Sequence, residues 1–123
     1  MGEYKKLAVW GKSYQLTLKI YEVTKSFPRE EAFGLTSQLR RAAYSIPANI
    51  AEGSGRGTDK ELVHFLQIAL GSANELEFHL NLTHDLHYLE TPTHHELETS
   101  VLEIQRMIAG LIQHLRSKNK SKD

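Results

Sequence analysis

Residues 34–57, GLTSQLRRAAYSIPANIAEGSGRG, decide the fold. Leu35, Leu39, Ala42, Ile46 and Ile50 recur at steps of four, three, four and four, the spacing of one face of an α-helix. Ala42, Ala43, Ala48 and Ala51 are small enough to let another helix approach closely. Pro47 lies inside the periodic run, where it removes one backbone hydrogen bond and should bend the helix. Ile50 stays in phase beyond it, so a kink is expected and not a stop. Gly53-Ser54-Gly55-Arg56-Gly57 then ends the helix and reverses the chain.

Upstream, a first helix is expected from about Glu3 to Ser26. Its apolar residues form two stripes, Leu7, Trp10, Tyr14, Leu18 and Tyr21 on one side and Val9, Leu16, Ile20, Val23 and Phe27 on the other. Two stripes imply two packing partners. Phe27-Pro28 ends the run, because a residue before proline is pushed out of the α region. Downstream, Thr58-Asp59-Lys60-Glu61 has the form of a capping box and opens a third helix. Its main stripe is Leu62, Phe65, Leu66, Ala69, Ala73, Leu76 and Leu80. At 100° per residue, Ile68, Phe78, Leu82 and Leu86 fall on roughly the opposite side, with Gly71 between them. A chain this short cannot hide both sides in one core, so these five residues are the candidate surface for self-association. A fourth helix follows the turn at Leu89-Glu90-Thr91-Pro92, with Thr93-His94-His95-Glu96 as a second capping box. Leu97, Val101, Ile104, Ile108, Leu111 and Leu115 alternate steps of four and three, as in a coiled-coil seam. The expected architecture is all-α, an antiparallel up-down-up-down four-helix bundle. It forms one domain over residues 1–116, with a flexible polar tail at 117–123.

Composition agrees with a single globular domain. The chain has 123 residues, 40% hydrophobic and 24% charged, and no cysteine, which excludes disulfides, thiolate metal sites and cysteine nucleophiles. No apolar run approaches the roughly 18 residues of a membrane span, and no signal-like core opens the chain. A cytoplasmic location is expected. The net charge is zero but polarised: residues 1–60 hold 10 basic and 6 acidic side chains, 61–105 hold 8 acids and no Lys or Arg, and 106–123 hold 5 basic and 1 acidic. A polarised neutral chain can still present a basic face; equally, its opposite segments can neutralise one another within or between subunits.

The residues Trp10-Gly11-Lys12-Ser13, Ile20-Tyr21, Phe27-Pro28, the block from Gly34 to Gly53, Gly55-Arg56, Phe65-Leu66, Ala69, Gly71-Ser72 and Glu75-Leu76-Glu77 carry a family resemblance over about residues 7–90. The chain resembles the bacterial four-helix-bundle family named for proteins encoded in intervening sequences of the large-subunit ribosomal RNA gene. The resemblance implies a homopentamer, five bundles arranged as a barrel around a channel. It also implies kinship with the accessory protein of diversity-generating retroelements, which partners a reverse transcriptase and binds nucleic acid through a basic surface. That accessory protein is markedly basic, whereas this chain is neutral overall.

The candidate nucleic-acid-binding residues are Arg40, Arg41, Arg56 and Lys60. Arg41 lies about 200° around the helix from Leu39 and so faces solvent or a neighbouring subunit, with Tyr44 on the same side for base stacking. The competing reading pairs Arg40 and Arg41 with the acids of the third helix. Gly53–Thr58 before a helix start invites an anion-site reading, but the Gly-Lys-Ser/Thr ending of a P-loop is absent and a hairpin linker is expected. Glu61-Leu62-Val63-His64 fits one half of a di-iron Glu-x-x-His pair, and the chain has no second half. His84, His87, His94 and His95 could meet at a helix junction, but no metal and no cofactor is expected. Ser45, Ser54 and Ser72 lack the strand-turn-helix elbow of a hydrolase nucleophile, so catalysis is not expected. The sequence therefore points to a non-catalytic homo-oligomeric adaptor for RNA, DNA or a nucleic-acid enzyme such as a reverse transcriptase, with a purely protein-protein scaffold as the alternative.

Overall fold

The computed structural model describes residues 3–120, and of Lys120 only the backbone. Four α-helices carry the fold: α1 (Ala8–Thr24), α2 (Leu35–Ser54), α3 (Asp59–Asp85) and α4 (Thr91–Lys120). Short 3-10 turns at Glu3–Lys6 and Arg29–Glu31 precede α1 and α2. The described residues contain no strand. Each helix packs on its neighbour in sequence, and α1 also packs on α4, which closes the bundle. No helix among the described residues is long and apolar enough to cross a membrane.

The core takes one stripe from each helix. Ile20, Ile46, Ile50, Leu66, Leu76, Val101 and Ile108 are wholly buried, each side chain contributing about 1.5–3 kcal/mol on leaving water. On α4 the buried stripe runs Leu97, Val101, Ile104, Ile108, Ile112 and Leu115. Ile112 takes the place expected of Leu111, because a straight helix of 3.6 residues per turn drifts out of a strict four-three alternation; Leu111 only flanks the core.

The first helix does not begin at Glu3. Leu7 is extended (φ −79°, ψ 122°) and separates the Glu3–Lys6 turn from α1. Three hydroxyls, Ser13, Thr17 and Thr24, are buried on the side of α1 that meets α2. Each bonds a carbonyl of its own helix, Trp10, Ser13 and Ile20 respectively, so none is buried unsatisfied.

Helix α2 continues through Pro47 without interruption. The carbonyl that proline leaves without its usual donor, that of Ala43, accepts from Thr17 Oγ1 across the α1–α2 contact at 3.1 Å. Near its end Gly53 allows α3 to come close: a Cβ there would lie 2.8 Å from Phe65 Cβ and 3.2 Å from Leu62 Cδ1. Gly57, with φ +91°, makes the reversal.

Thr58 caps α3 as expected, its hydroxyl accepting from the Glu61 amide at 3.2 Å. The second capping box does not form. Helix α4 starts at Thr91, and the Glu90 carbonyl already accepts from the His94 amide, so Thr93 lies inside the first turn. Pro92 suits that turn, where its missing N–H costs nothing. At the other end α4 runs on to Lys120, so residues 117–120 of the expected tail are helical; residues 121–123 of that tail lie outside the described residues.

Candidate functional site

The four basic residues singled out in the sequence do not converge. Arg40 turns inward to α1: its Nε donates to Thr24 Oγ1 at 2.9 Å, and its guanidinium lies 4.7 Å from the centre of the Tyr21 ring. Nη2 reaches the Tyr21 carbonyl at 3.5 Å. The C-terminus of α1 attracts it, since the last carbonyls of a helix carry partial negative charge. Arg40 therefore serves neither as a free phosphate ligand nor as the partner of an α3 acid. Arg41, one position on, is exposed, with no ion pair among the described residues.

Arg56 lies just past the end of α2, about 20 Å from Arg41 along the helix direction. It pairs with Glu52 at 2.9 Å and Glu61 at 3.8 Å and covers the Phe65 ring at 5.0 Å. Lys60 is exposed on the rim of a groove between α3 and α4, with His64 and Arg116. Arg41 and Lys60 are thus the two of the four without an ion pair among the described residues, and they stand far apart on the α2–α3 hairpin.

Much of the charge polarity is absorbed inside the bundle. Lys12 and Lys19 of α1 reach Glu103 and Glu96 of α4 at 2.6 and 3.2 Å along a shared groove. The Lys12 ammonium, which donates to Glu103 and attracts it, holds that carboxyl below its ordinary range. Lys118 meets Asp59 at 3.2 Å.

The apolar surface is where the structure is least self-sufficient. On α3, Ile68 and Phe78 are exposed, Phe78 to 61% of its full area, with Leu82 half-buried and Gly71 open; Leu86, just past the helix end, is exposed as well. Both stripes of α1 are realised differently: Val9, Leu16 and Ile20 are buried, whereas Tyr14, Leu18 and Tyr21 remain exposed. Tyr44 of α2 is exposed as well. Trp10 stacks on Tyr14 at 4.9 Å and meets Tyr4 at 5.0 Å, so an aromatic row lies along the outside of α1. Patches of this kind mark binding surfaces in soluble proteins. Phe33, 99% exposed just before α2, escaped the sequence reading because it belongs to no helical stripe.

The histidines come together only as a pair. His84 and His94 stack at 4.2 Å with planes 12° apart. His94 Nε2 contacts Asn81 Oδ1 at 2.8 Å and His84 Nε2 contacts Thr91 Oγ1 at 3.1 Å. Parallel rings hold their lone pairs in separate planes and cannot aim both at one ion. Among the described residues no group of three or more His, Asp or Glu side chains could hold a metal. Across the α2–α3 contact, Ser45 and Ser72 hydroxyls meet at 2.8 Å with Asn49 donating to Ser45.

Comparison with known proteins places this architecture. A family model described as 23S rRNA-intervening sequence protein matches residues 5–110. Among solved structures, a protein of unknown function from the S23 ribosomal protein family of Bacteroides thetaiotaomicron is similar, with a TM-score of 0.79 and 27% identity over 85% of this chain and 95% of that one. No curated protein matches the sequence.

Proposed function

The chain belongs to the 23S rRNA-intervening sequence protein family, and from that premise we propose that it is a non-catalytic homo-oligomeric adaptor of the cytoplasm, built as a pentamer of antiparallel up-down-up-down bundles. The observation that carries this reading is the apolar surface left over once the core is full: Ile68 and Phe78 on α3, Leu86 just past its end, and Tyr14, Leu18 and Tyr21 on α1. The up-down order is supported by contacts that run in opposite directions along paired helices, Lys12 with Glu103 and Lys19 with Glu96.

The adaptor carries RNA, DNA or a nucleic-acid enzyme such as a reverse transcriptase on the assembled barrel. Arg41 and Lys60 of one protomer are exposed, and a ring multiplies them. Electrophoretic mobility shifts with single- and double-stranded RNA and DNA at low and moderate salt test this directly. Binding that weakens steeply with salt is expected; no shift at low salt contradicts nucleic-acid binding. A protein-protein scaffold is the second reading, and a specific observation favours it: Arg40 and Arg56 are already engaged within the protomer.

A further inference from the structure

We propose that the groove between the first half of α3 and the C-terminal third of α4 is the docking site for an amphipathic helix of a partner protein, acidic at the end that meets Lys60 and Arg116. The inference rests on the protein-scaffold reading and adds the surface and the chemistry of the partner. Helices α3 and α4 are tied by Asp59 with Lys118 at 3.2 Å and by Gln105 donating to Glu77 at 2.8 Å. Between those two ties a groove of about 1360 Å³ opens. Small-molecule pockets hold roughly 300–1,000 Å³, so this groove suits a segment of chain more than a metabolite. Its floor is apolar: Ile112 is buried in the core, and Val63 and Leu70 are half-buried beside it. Ala109 on the α4 wall is exposed and small, so another helix can approach there. From Lys60 to Leu70 the groove follows α3 for about 15 Å, close to three helical turns.

Charge sets the chemistry of the partner and the end at which its acids lie. Nearest the α2–α3 turn, Lys60, His64 and Arg116 line the rim. Neither Lys60 nor Arg116 has an ion pair among the described residues. The one acid of the lining, Glu61, is already held by Arg56 at 3.8 Å. The unmatched charge is therefore positive and confined to one end, because toward Leu70 and Ala109 the lining carries no charged side chain. The complement is a helix with apolar residues at i, i+4 and i+7 and carboxylates at one end only. A nucleic-acid strand matches less of the groove: its phosphates would meet cations at one end and an apolar floor along the rest. The groove between α1 and α4 offers no such unmatched charge, since Lys12 and Lys19 are answered there by Glu103 and Glu96.

Two fluorescein-labelled synthetic peptides of about three helical turns test the proposal. Both carry leucines at i, i+4 and i+7; one has glutamates in its first turn and the other has lysines there. By fluorescence anisotropy the unaltered protein should bind the glutamate peptide, and the lysine peptide at least about tenfold more weakly, the gap narrowing as salt rises. Lys60→Glu with Arg116→Glu should reverse the preference. Ala109→Glu, at an exposed position of the wall, should abolish binding of the glutamate peptide. Far-UV circular dichroism checks that each variant is folded. No binding of the glutamate peptide, equal binding of the two peptides, or a preference that survives the charge reversal overturns the proposal. So does a single-stranded oligonucleotide that binds more tightly than the glutamate peptide and is lost with Ala109→Glu, which gives the groove to nucleic acid. Loss of a homo-oligomer in Ala109→Glu, seen by light scattering, gives the groove to a second copy and overturns it too. Absence of peptide binding alone leaves a scaffold that uses another surface; the scaffold reading itself falls with salt-sensitive binding in the mobility-shift assay.

Discussion

The hydroxyl of Thr17 on α1 lies 3.1 Å from the carbonyl of Ala43 on α2, the carbonyl that Pro47 leaves without a backbone donor. The same hydroxyl is 2.8 Å from the Ser13 carbonyl, so one hydrogen is shared between the two helices. A proline in the middle of α2 is thereby tolerated through a side chain from a different helix. Thr17→Val should cost about 1–3 kcal/mol in chemical denaturation, by leaving a buried carbonyl unpaired. Pro47→Ala returns a backbone donor, so the Thr17→Val penalty should shrink in that background. Equal penalties in both backgrounds would mean that Thr17 does not serve the proline gap.

Two glycines should respond to alanine in opposite directions. At Gly53 the new Cβ would clash with Phe65 and Leu62, and overpacking of this kind costs about 1–3 kcal/mol, more than alanine's better helix propensity returns. At Gly71 the space is open, so alanine should raise the stability of a single bundle by about 0.5–1 kcal/mol. Thermal or chemical denaturation of the two variants measures the contrast.

Glu31 holds one end of the bundle together. Its Oε1 accepts from the Leu35 amide at the start of α2 at 3.3 Å, and its Oε2 accepts from the Tyr88 phenol at 3.0 Å. That hydrogen bond, with some desolvation and the nearby carboxylate charges, holds the Tyr88 phenol above its ordinary value. A raised folded value means that the stabilisation is complete below the ordinary tyrosine value of about 10 and is lost as pH rises through the folded one. The melting-temperature difference between the parental protein and Tyr88→Phe should therefore be widest near neutrality and narrow at strongly alkaline pH. A difference that stays constant across that range would show that the Tyr88–Glu31 bond contributes nothing.

Adjacent arginines should separate by role. Arg40→Ala removes the contacts to Thr24 and Tyr21 and should lower the melting temperature. Arg41→Ala should leave the folding of the protomer unchanged. Where nucleic acid binds, Arg41→Ala with Lys60→Ala should weaken it at all sequences and flatten its salt dependence. Selective loss for some sequences would instead indicate base readout.

Periodicity made most of the core legible. Leu39, Ala42, Ile46 and Ile50 of α2, and Leu66, Ala69, Ala73, Leu76 and Leu80 of α3, are buried on the stripes expected of them, because helical spacing puts them on one face. The exposed Ile68 and Phe78 of α3, and Leu86 just past its end, were legible for the same reason. What escaped depends on hydrogen bonds that an apolar pattern does not report. Ser13, Thr17 and Thr24 carry no apolar signal, and their burial follows from bonds to carbonyls of their own helix. The fate of Arg40 was set by the end of α1, which lies 16 residues away from it in sequence at Thr24. Thr93 has the capping pattern, but Pro92 and the Glu90 carbonyl start α4 earlier.

The central claim is that this bundle is completed by copies of itself. Multi-angle light scattering of the unaltered protein at micromolar concentration tests it most directly. The account predicts one species with five times the 14.0 kDa mass of the chain. A stable monomer, with Phe78, Ile68 and Leu18 left in water, would contradict it.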